Sequence, residues 1–197
     1  VQFNSSFPGE NYLPLSVGML QAYAQRQLAQ PENYEFLLPL YRRIPVSEAV
    51  EHLRGADVAF FSTYVWNYRI SLEVARALKE KSPDTVIAFG GPSVPDRVEP
   101  FLNEQTFIDL ACHGEGEKTA LAILEKLETK DWDRISGISF LRENRTLVSN
   151  PKGPRNADLN DFPSPYTEGV FDPLMKAHPS ERWLAAWETN RGCPFSC

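Results

Sequence analysis

Apolar segments of strand length alternate with amphipathic segments of helix length through most of this chain. The clearest strand is Asp57–Tyr64, whose apolar core is continuous, as expected when helices cover both faces of a sheet. The spacing of apolar residues predicts a helix over Ile70–Lys81, and Thr85–Phe89 is the next strand. Such alternation with short connections predicts right-handed βαβ units and a doubly wound, mostly parallel α/β sheet.

A five-stranded flavodoxin-like sheet in the order 2-1-3-4-5 fits the remaining segments. Further strands are predicted at Gln2–Asn4, Tyr34–Leu38 and Phe107–Cys112, and further helices over Asn11–Ala29, Pro45–Arg54, Asp96–Leu102 and Lys118–Thr129. Ligands of such sheets bind at the carboxyl ends of strands 1 and 3, where the strand order reverses. Those ends carry small polar residues suited to a polar ligand: Asn4, Ser5, Ser6, Ser62, Thr63 and Tyr64. Because Ser and Thr also commonly end strands and cap helices, the residues alone leave both interpretations open.

The pattern changes after the last of these helices. Gly137–Leu141 and Thr146–Ser149 flank a polar turn, which predicts a β-hairpin. The following stretch is rich in Pro, Asn and Asp and has no periodicity, which indicates a linker. We therefore expect a first domain over 1–135, a hairpin extension over 136–150, a linker over 151–182 and the start of another domain over 183–197.

Charge, hydropathy and cysteine content indicate which classes of partner and which cellular compartment suit this chain. A net charge of −6 without a Lys/Arg block disfavours nucleic acid, and no apolar run approaches the roughly 20 residues of a membrane helix. Three cysteines without a signal peptide fit a reducing, cytoplasmic setting better than a disulfide framework. Cys112 is interpreted as a small buried hydrophobe. Because Val1 is not a methionine and looks like mid-strand, we expect a few residues to precede it.

Cys193 and Cys197 form the sharpest motif of the sequence. A bare Cys-x3-Cys is compatible with free thiols or part of a zinc site. Here Arg191-Gly192 precedes the first cysteine, Pro194 follows it, and a strand-like segment, Trp183–Trp187, lies upstream. In this context the segment resembles the opening of the cluster loop of radical S-adenosylmethionine (SAM) enzymes, Cys-x3-Cys-x2-Cys after the first strand of a partial TIM-type barrel. The resemblance implies a [4Fe–4S] cluster that binds SAM, with Cys193 and Cys197 as two of its three ligands and the third beyond the last residue.

Upstream, the chain resembles the cobalamin-binding domain that precedes many radical SAM domains. The matching segments are Leu13–Ala22, Phe61–Tyr64, Phe89–Ser93 and His113–Glu117. The resemblance implies cobalamin contacts from the loop residues already named and from Gly90, Gly91, Ser93, His113, Gly114, Glu115 and Gly116. The glycines would allow a ligand to approach the backbone closely, and a helix N-terminus after Gly116 would favour polar or anionic groups. Ordinary loop geometry explains the same glycines without a ligand.

One departure concerns the cobalt ligand. Cobalamin carriers with a cobalt-ligating histidine have Asp-x-His-x-x-Gly after strand 1, whereas the corresponding loop, Asn4–Glu10, has no histidine. We therefore expect bound cobalamin to lack a histidine ligand.

The resemblance as a whole implies the cobalamin-binding region of a cobalamin-dependent radical SAM methyltransferase. The longer enzyme would be reduced by a flavodoxin or ferredoxin, and the present chain would not be catalytic by itself. Two alternatives remain open at this point: a recognition or interaction domain that no longer binds cobalamin, and a flavodoxin-like domain that binds flavin mononucleotide.

Overall fold

A computed structural model describes residues 1–5, 9–156 and 158–191 of the chain. The helices are α1 (Leu15–Gln27), α2 (Val46–Leu53), α3 (Tyr68–Lys81), α4 (Val98–Glu104), α5 (Glu117–Glu125) and α6 (Asp172–Ala177). The strands are β1 (Glu10–Tyr12), β2 (Val58–Ser62), β3 (Val86–Gly90), β4 (Leu110–Cys112), β5 (Ile138–Leu141), β6 (Leu147–Ser149) and β7 (Arg182–Leu184). Single 3-10 turns occupy Pro31–Asn33, Trp132–Arg134 and Leu159–Asp161.

The main sheet has the strand order β2-β3-β4-β5-β6. Strands β2, β3 and β4 pair in parallel, whereas the hairpin β5–β6 adds two antiparallel strands to the β4 edge. The predicted hairpin is therefore present, and it continues the same sheet. An antiparallel edge on a parallel sheet is common in α/β folds.

The segment Val1–Asn4 extends the sheet beyond β2. The Val1 amine donates to Phe60 O at 2.6 Å, and Ser62 N donates to Val1 O at 2.9 Å. On its other side, Gln2 N and Asn4 N donate to Leu40 O and Tyr41 O at 2.9 and 2.8 Å. This is the predicted order 2-1-3-4-5, and the predicted fold class is confirmed. The second strand is displaced, since these bonds use residues 40–41 and the prediction used Tyr34–Leu38.

Two apolar layers hold the sheet, one on each face. Alternation along β2 sends Ala59 and Phe61 to the face covered by α2, α3 and α4, where Val74 and Leu78 are fully buried. Val58 and Phe60 face the other side, where α1 and α5 pack together. Burial of each large apolar side chain stabilises the fold by about 1.5–3 kcal/mol. Within the described residues, no helix is both long and apolar enough to cross a membrane.

The predicted linker contains regular structure. Helix α6 lies inside it, and apolar residues in and just before α6 form a small core with residues from the N-terminal part of the chain. The buried residues of this core are Leu13, Ala22, Tyr41, Val170, Phe171 and Leu174. Gly18 of α1 makes this packing close, because a Cβ at that position would lie 2.2 Å from Cζ of Phe171. A domain boundary over 151–182 stays a prediction, but this segment packs against the first domain.

Strand β1 also departs from the prediction, which placed the start of α1 at Asn11. Residues 10–12 pair in parallel with β7, from Glu10↔Arg182 to Tyr12↔Leu184. Helix α1 begins after this pairing, at Leu15. The partner strand is distant in sequence: Asn11 and Glu181, which are hydrogen-bonded beside this pairing, are 170 residues apart. The local hydrophobic pattern therefore could not indicate the β1–β7 pairing.

Candidate cofactor site

The carboxyl ends of the parallel strands meet at one edge of the sheet. Ser62 is level with Gly90, and Phe89 is level with Ala111. The predicted contacts within the described residues therefore follow strands that end side by side: Asn4, Ser5, Ser62, Thr63, Tyr64, Gly90, Gly91, Ser93, His113, Gly114, Glu115 and Gly116. Ser6 lies outside the described residues. We call this edge the carboxyl edge.

The loops after β2 and β3 are bonded to each other through their backbones. Thr63 is fully buried, and both its N–H and its hydroxyl donate to Gly90 O at 2.8 Å. Ser93 N donates in turn to Thr63 O at 3.2 Å. Thr63 therefore joins two loops and exposes no side-chain group to a ligand, in contrast to its predicted role. The Ser62 and Ser93 side chains stay partly exposed at the same edge.

Gly91 has a structural reason to be glycine. Its φ is +96°, and a Cβ there would lie 2.6 Å from Thr63 O. The close approach is thus to another loop of the same chain, which is the ordinary loop geometry that the sequence analysis left open beside a ligand. Gly114 is different: its φ is +82°, but no atom of the described residues lies within 4 Å of the position of its Cβ. This free space is compatible with a ligand approaching the backbone at Gly114, which stays a prediction.

Asn67 was not predicted, yet it connects three backbone segments of the carboxyl edge. The side chain is fully buried, and Nδ2 donates to both Phe3 O and Ser62 O at 3.0 Å. Its Oδ1 accepts from Tyr64 N at 2.7 Å. One side-chain amide thus connects the end of the N-terminal segment Val1–Asn4, the end of β2 and the loop after β2. The sequence feature that could have indicated this role is the position of Asn67 just before an amphipathic helix, where Asn is frequent.

An aromatic pair stands at the surface beside this loop. The rings of Tyr64 and Trp66 are stacked, with centroids 4.5 Å apart and planes at 6°. The Tyr64 hydroxyl is 2.7 Å from the Ser16 hydroxyl at the start of α1. Trp66 is 47% exposed and Val65 92% exposed. This arrangement offers a flat apolar surface at the carboxyl edge.

His113 and Glu115 are engaged by other parts of the chain. His113 Nε2 is 3.0 Å from the Ser139 hydroxyl, which is 2.9 Å from the Ser149 hydroxyl. Burial, with a smaller contribution from Lys152, lowers the pKa of His113 below its usual value. Glu115 Oε2 accepts a hydrogen bond from Asn156 N at 3.1 Å. Both residues are partly exposed, and each side chain has a hydrogen-bonding partner in the chain, so their contact with a cofactor stays a prediction.

A largely buried ion pair lies at the start of α5. Arg191 Nη2 lies 2.5 Å from Oε1 of Glu117, the first residue of α5, and the two side chains are only 16% and 5% exposed. Arg191 Nε also bonds Glu188 Oε2 at 2.9 Å. Burial opposes the charge of Arg191, but the two carboxylates outweigh it and raise its pKa.

Two of the cavities formed by the described residues differ in their relation to the predicted contacts. The larger, of about 1160 Å³, is lined by residues of α1, α5 and β2 and by the segments before α2 and before β2, which include Leu37 and Gly55. None of the predicted contacts lines it. The smaller, of about 430 Å³, is lined by Asn4, Ser5, Asn11, Arg42 and Arg43. By size alone, the larger cavity would be the better candidate for a ligand site. The small and polar residues suited to a polar ligand, however, lie at the carboxyl edge.

The predicted metal ligands Cys193 and Cys197 lie outside the described residues. Within the residues that are described, no group of three or more His, Cys, Asp or Glu side chains is arranged to hold a metal ion. Cys112, interpreted from the sequence as a small buried hydrophobe, is a partly buried free thiol at the end of β4. Burial raises its pKa to about 12, so the thiol stays protonated near neutral pH. The three histidines lie on α2, directly after β4 and directly after α6, none in the loop after strand 1.

Comparisons with known proteins agree on one family. The model of the B12 binding domain matches residues 20–124. The cobalamin-dependent radical SAM methyltransferase TokK of Streptomyces tokunonensis is 38% identical over 193 residues, which covers 94% of this chain and 28% of that protein. The 2-(S-pantetheinyl)-carbapenam-3-carboxylate methyltransferase of Streptantibioticus cattleyicolor is 36% identical over 192 residues, with the same coverage of 94% and 28%. This chain thus spans about 28% of the length of both relatives.

The fold is also similar to a solved structure. The cobalamin-dependent S-adenosylmethionine radical enzyme OxsB, with aqua-cobalamin and S-adenosylmethionine bound, aligns with a TM-score of 0.69 at 19% identity. The alignment covers 99% of this chain and 27% of that one. The similarity of fold therefore includes the C-terminal segment that packs on α1. Together with the family match over more than half of its residues, this similarity leads to one conclusion: the chain belongs to the B12-binding domain family.

Proposed function

We propose that this chain is the cobalamin-binding region of a cobalamin-dependent radical SAM methyltransferase. The observation that carries the proposal is the extent of the similarity to two such methyltransferases. It covers 94% of the chain at 38% and 36% identity, so it continues well past residue 124, where the match to the B12 binding domain ends. Methyl transfer would belong to the longer enzyme, since this chain spans about 28% of the length of those relatives.

The carboxyl edge fits cobalamin in shape and in chemistry. Gly114 faces open space, and the glycine-rich loop leads directly into the N-terminus of α5. Backbone N–H groups at a helix N-terminus favour phosphate and amide oxygens, which cobalamin carries. The Ser62 and Ser93 hydroxyls supply further hydrogen bonds, and the Tyr64–Trp66 pair supplies apolar surface. These are the residues that we expect to hold the cofactor.

Bound cobalamin would supply the methyl group, and a [4Fe–4S] cluster with SAM would supply the radical that activates the substrate. The residues of this chain would bind and orient the cofactor. Asn67 and Thr63 would hold the loops of the carboxyl edge in place, because their hydrogen bonds join the segment Val1–Asn4, β2 and β3. Cys193 and Cys197 would be two of the three cluster ligands, and a flavodoxin or ferredoxin would deliver the electron.

The experiment that tests the proposal is ligand binding followed by visible spectroscopy. The purified protein is mixed with hydroxocobalamin or with flavin mononucleotide and then desalted. We expect cobalamin to be retained and flavin to be lost. Retention of flavin alone would support a flavodoxin-like carrier, and retention of neither would support a recognition domain without a cofactor. Either result would contradict the proposal.

Two matched variants locate the ligand. Gly114 and Gly55 have nearly the same φ, +82° and +81°, and in the described part of the chain neither Cβ position has an atom within 4 Å. They lie at opposite edges of the sheet, since Gly55 precedes β2 and Gly114 follows β4. Asparagine tolerates positive φ, so Gly114→Asn and Gly55→Asn each add a side chain without a large backbone change. We expect Gly114→Asn to weaken cobalamin binding about tenfold, or about 1.4 kcal/mol, and Gly55→Asn to leave it unchanged. The reverse result would place the ligand in the larger cavity.

A further inference from the structure

The side chain of Arg191 is held on three sides. Nη2 contacts Glu117 at 2.5 Å, Nε contacts Glu188 at 2.9 Å, and the guanidinium carbon lies 4.5 Å from the ring centroid of Phe162. Phe162 packs in turn against Tyr23 of α1, with ring centroids 5.6 Å apart. A planar guanidinium can make two directed ion pairs and stack on a ring at the same time, which a lysine ammonium cannot.

The two partners of this ion pair belong to different parts of the chain. Glu117 is the first residue of α5 and directly follows the glycine-rich loop of the carboxyl edge. Arg191 is two residues before Cys193 in sequence. Two residues span at most about 7 Å of chain. The ion pair therefore ties the start of the cysteine segment to the helix that begins beside the proposed cobalamin site.

The chain between β7 and Arg191 has few other attachments. Strand β7 is fixed by its pairing with β1 and by Leu13 N, which donates to Leu184 O at 2.9 Å. Tyr166 Oη then donates to Ala186 O at 2.6 Å. Residues 187–190 are all exposed, whereas Arg191 is partly buried. Arg191 is thus a separate point of attachment, downstream of the strand pairing.

We infer that Arg191, through Glu117, is a positioning residue that sets the distance between the iron–sulfur cluster and cobalamin. The inference rests on the proposed function, because it assumes that both cofactors are bound. Methyl transfer and radical formation have to take place on one substrate, so the two cofactor sites need a fixed separation. A misplacement of about 1 Å in such a site can reduce the rate about 100-fold.

The test uses the full-length protein, loaded with cobalamin and a reconstituted, reduced cluster. The EPR signal of cob(II)alamin is broadened by a nearby paramagnetic cluster, and this dipolar broadening falls steeply with distance. We expect Arg191→Ala and Glu117→Gln to reduce the broadening and to widen the distribution of distances, while optical spectra show unchanged contents of both cofactors. Arg191→Lys should give an intermediate result, and the double variant Glu117→Gln/Arg191→Ala should be no worse than Arg191→Ala alone.

Arg142→Ala is the matched control. Arg142 also pairs with a carboxylate, Asp133, at 2.6 Å and lies 5.9 Å from the ring centroid of Phe140. Its side chain, however, is 49% exposed, and it stands on the hairpin. Its removal should leave the dipolar broadening at the wild-type value.

The outcomes separate this inference from the proposed function. If the wild-type protein binds no cobalamin or no cluster, the proposed function fails and the inference falls with it. If both cofactors bind and Arg191→Ala leaves the broadening unchanged, only the inference is overturned. Loss of the cluster in Arg191→Ala with normal cobalamin content would assign Arg191 to cluster assembly and would also overturn the positioning role.

Discussion

At the scale of single residues, Gly91 and Gly114 share a backbone conformation but differ in their surroundings. Both have positive φ, yet only Gly91 faces another loop, with Thr63 O 2.6 Å from its Cβ position. We expect Gly114→Ala to lower the free energy of unfolding by about 1 kcal/mol, the cost of a non-glycine residue at positive φ. Gly91→Ala should cost clearly more, because the loops after β2 and β3 have to separate. Denaturant unfolding of both variants measures the difference, and equal losses would contradict the expectation.

His113 predicts a pH dependence of stability. Its pKa is lowered in the folded protein, chiefly by burial, so the folded state binds a proton less readily than the unfolded state. The contribution of His113 to the free energy of unfolding is then fully present above the pKa of the unfolded state, about 6.5. It is lost as the pH falls from that value through the lower pKa of the folded state. His113→Gln keeps a partner for Ser139 but does not titrate, so its stability should fall less over this range. Thermal unfolding at several pH values tests this. Identical pH profiles for the variant and the wild type would show that His113 contributes nothing.

At the scale of elements, the contact between α1 and the segment carrying α6 is the least expected part of the fold. Phe171 is 1% exposed, and its ring lies directly over Gly18. We expect Phe171→Ala to destabilise the protein by about 3–5 kcal/mol, as for a large aromatic removed from a core. It should also open residues 158–178 to proteolysis. Trp187 is 86% exposed and provides the control, since Trp187→Ala should leave the unfolding transition unchanged. A small effect of Phe171→Ala would mean that this segment is attached elsewhere.

At the scale of the whole molecule, the two proposed cofactor sites should be separable by mutation. The predicted cobalamin contacts lie at the carboxyl edge of the sheet, whereas the predicted cluster ligands lie in the last residues of the chain. In the full-length protein, Cys193→Ala or Cys197→Ala should abolish the visible absorbance of the cluster and SAM cleavage, because three thiolates are needed to hold the cluster. Cobalamin binding should persist. Cys112→Ala is the control and should retain both. An active, cluster-containing Cys193→Ala variant would remove the support for the radical SAM assignment.

The sequence by itself determined the sheet, its order and the loops that gather at its carboxyl edge. These features depend on local signals: continuous apolar runs such as Val58–Phe61, helical periodicity over Ile70–Lys81, and glycine and serine at strand ends. Because parallel strands linked by right-handed crossovers end at the same edge, the residues after them meet whatever the details of packing. The B12-binding family was recognised on other grounds, from the resemblance of four segments to its members: Leu13–Ala22, Phe61–Tyr64, Phe89–Ser93 and His113–Glu117.

Only the tertiary structure decided which of those residues are free to meet a ligand. Thr63, Gly91 and Glu115 are residue types that often contact polar ligands. In this structure they form hydrogen bonds with, or closely approach, other parts of the chain. The β1–β7 pairing, the packing of Phe171 on Gly18 and the Arg191–Glu117 ion pair join segments more than 70 residues apart in sequence. Such contacts depend on where the folded chain brings its segments together. Hydrophobic periodicity and turn residues report only the local conformation of the backbone, so they carry no record of these partners.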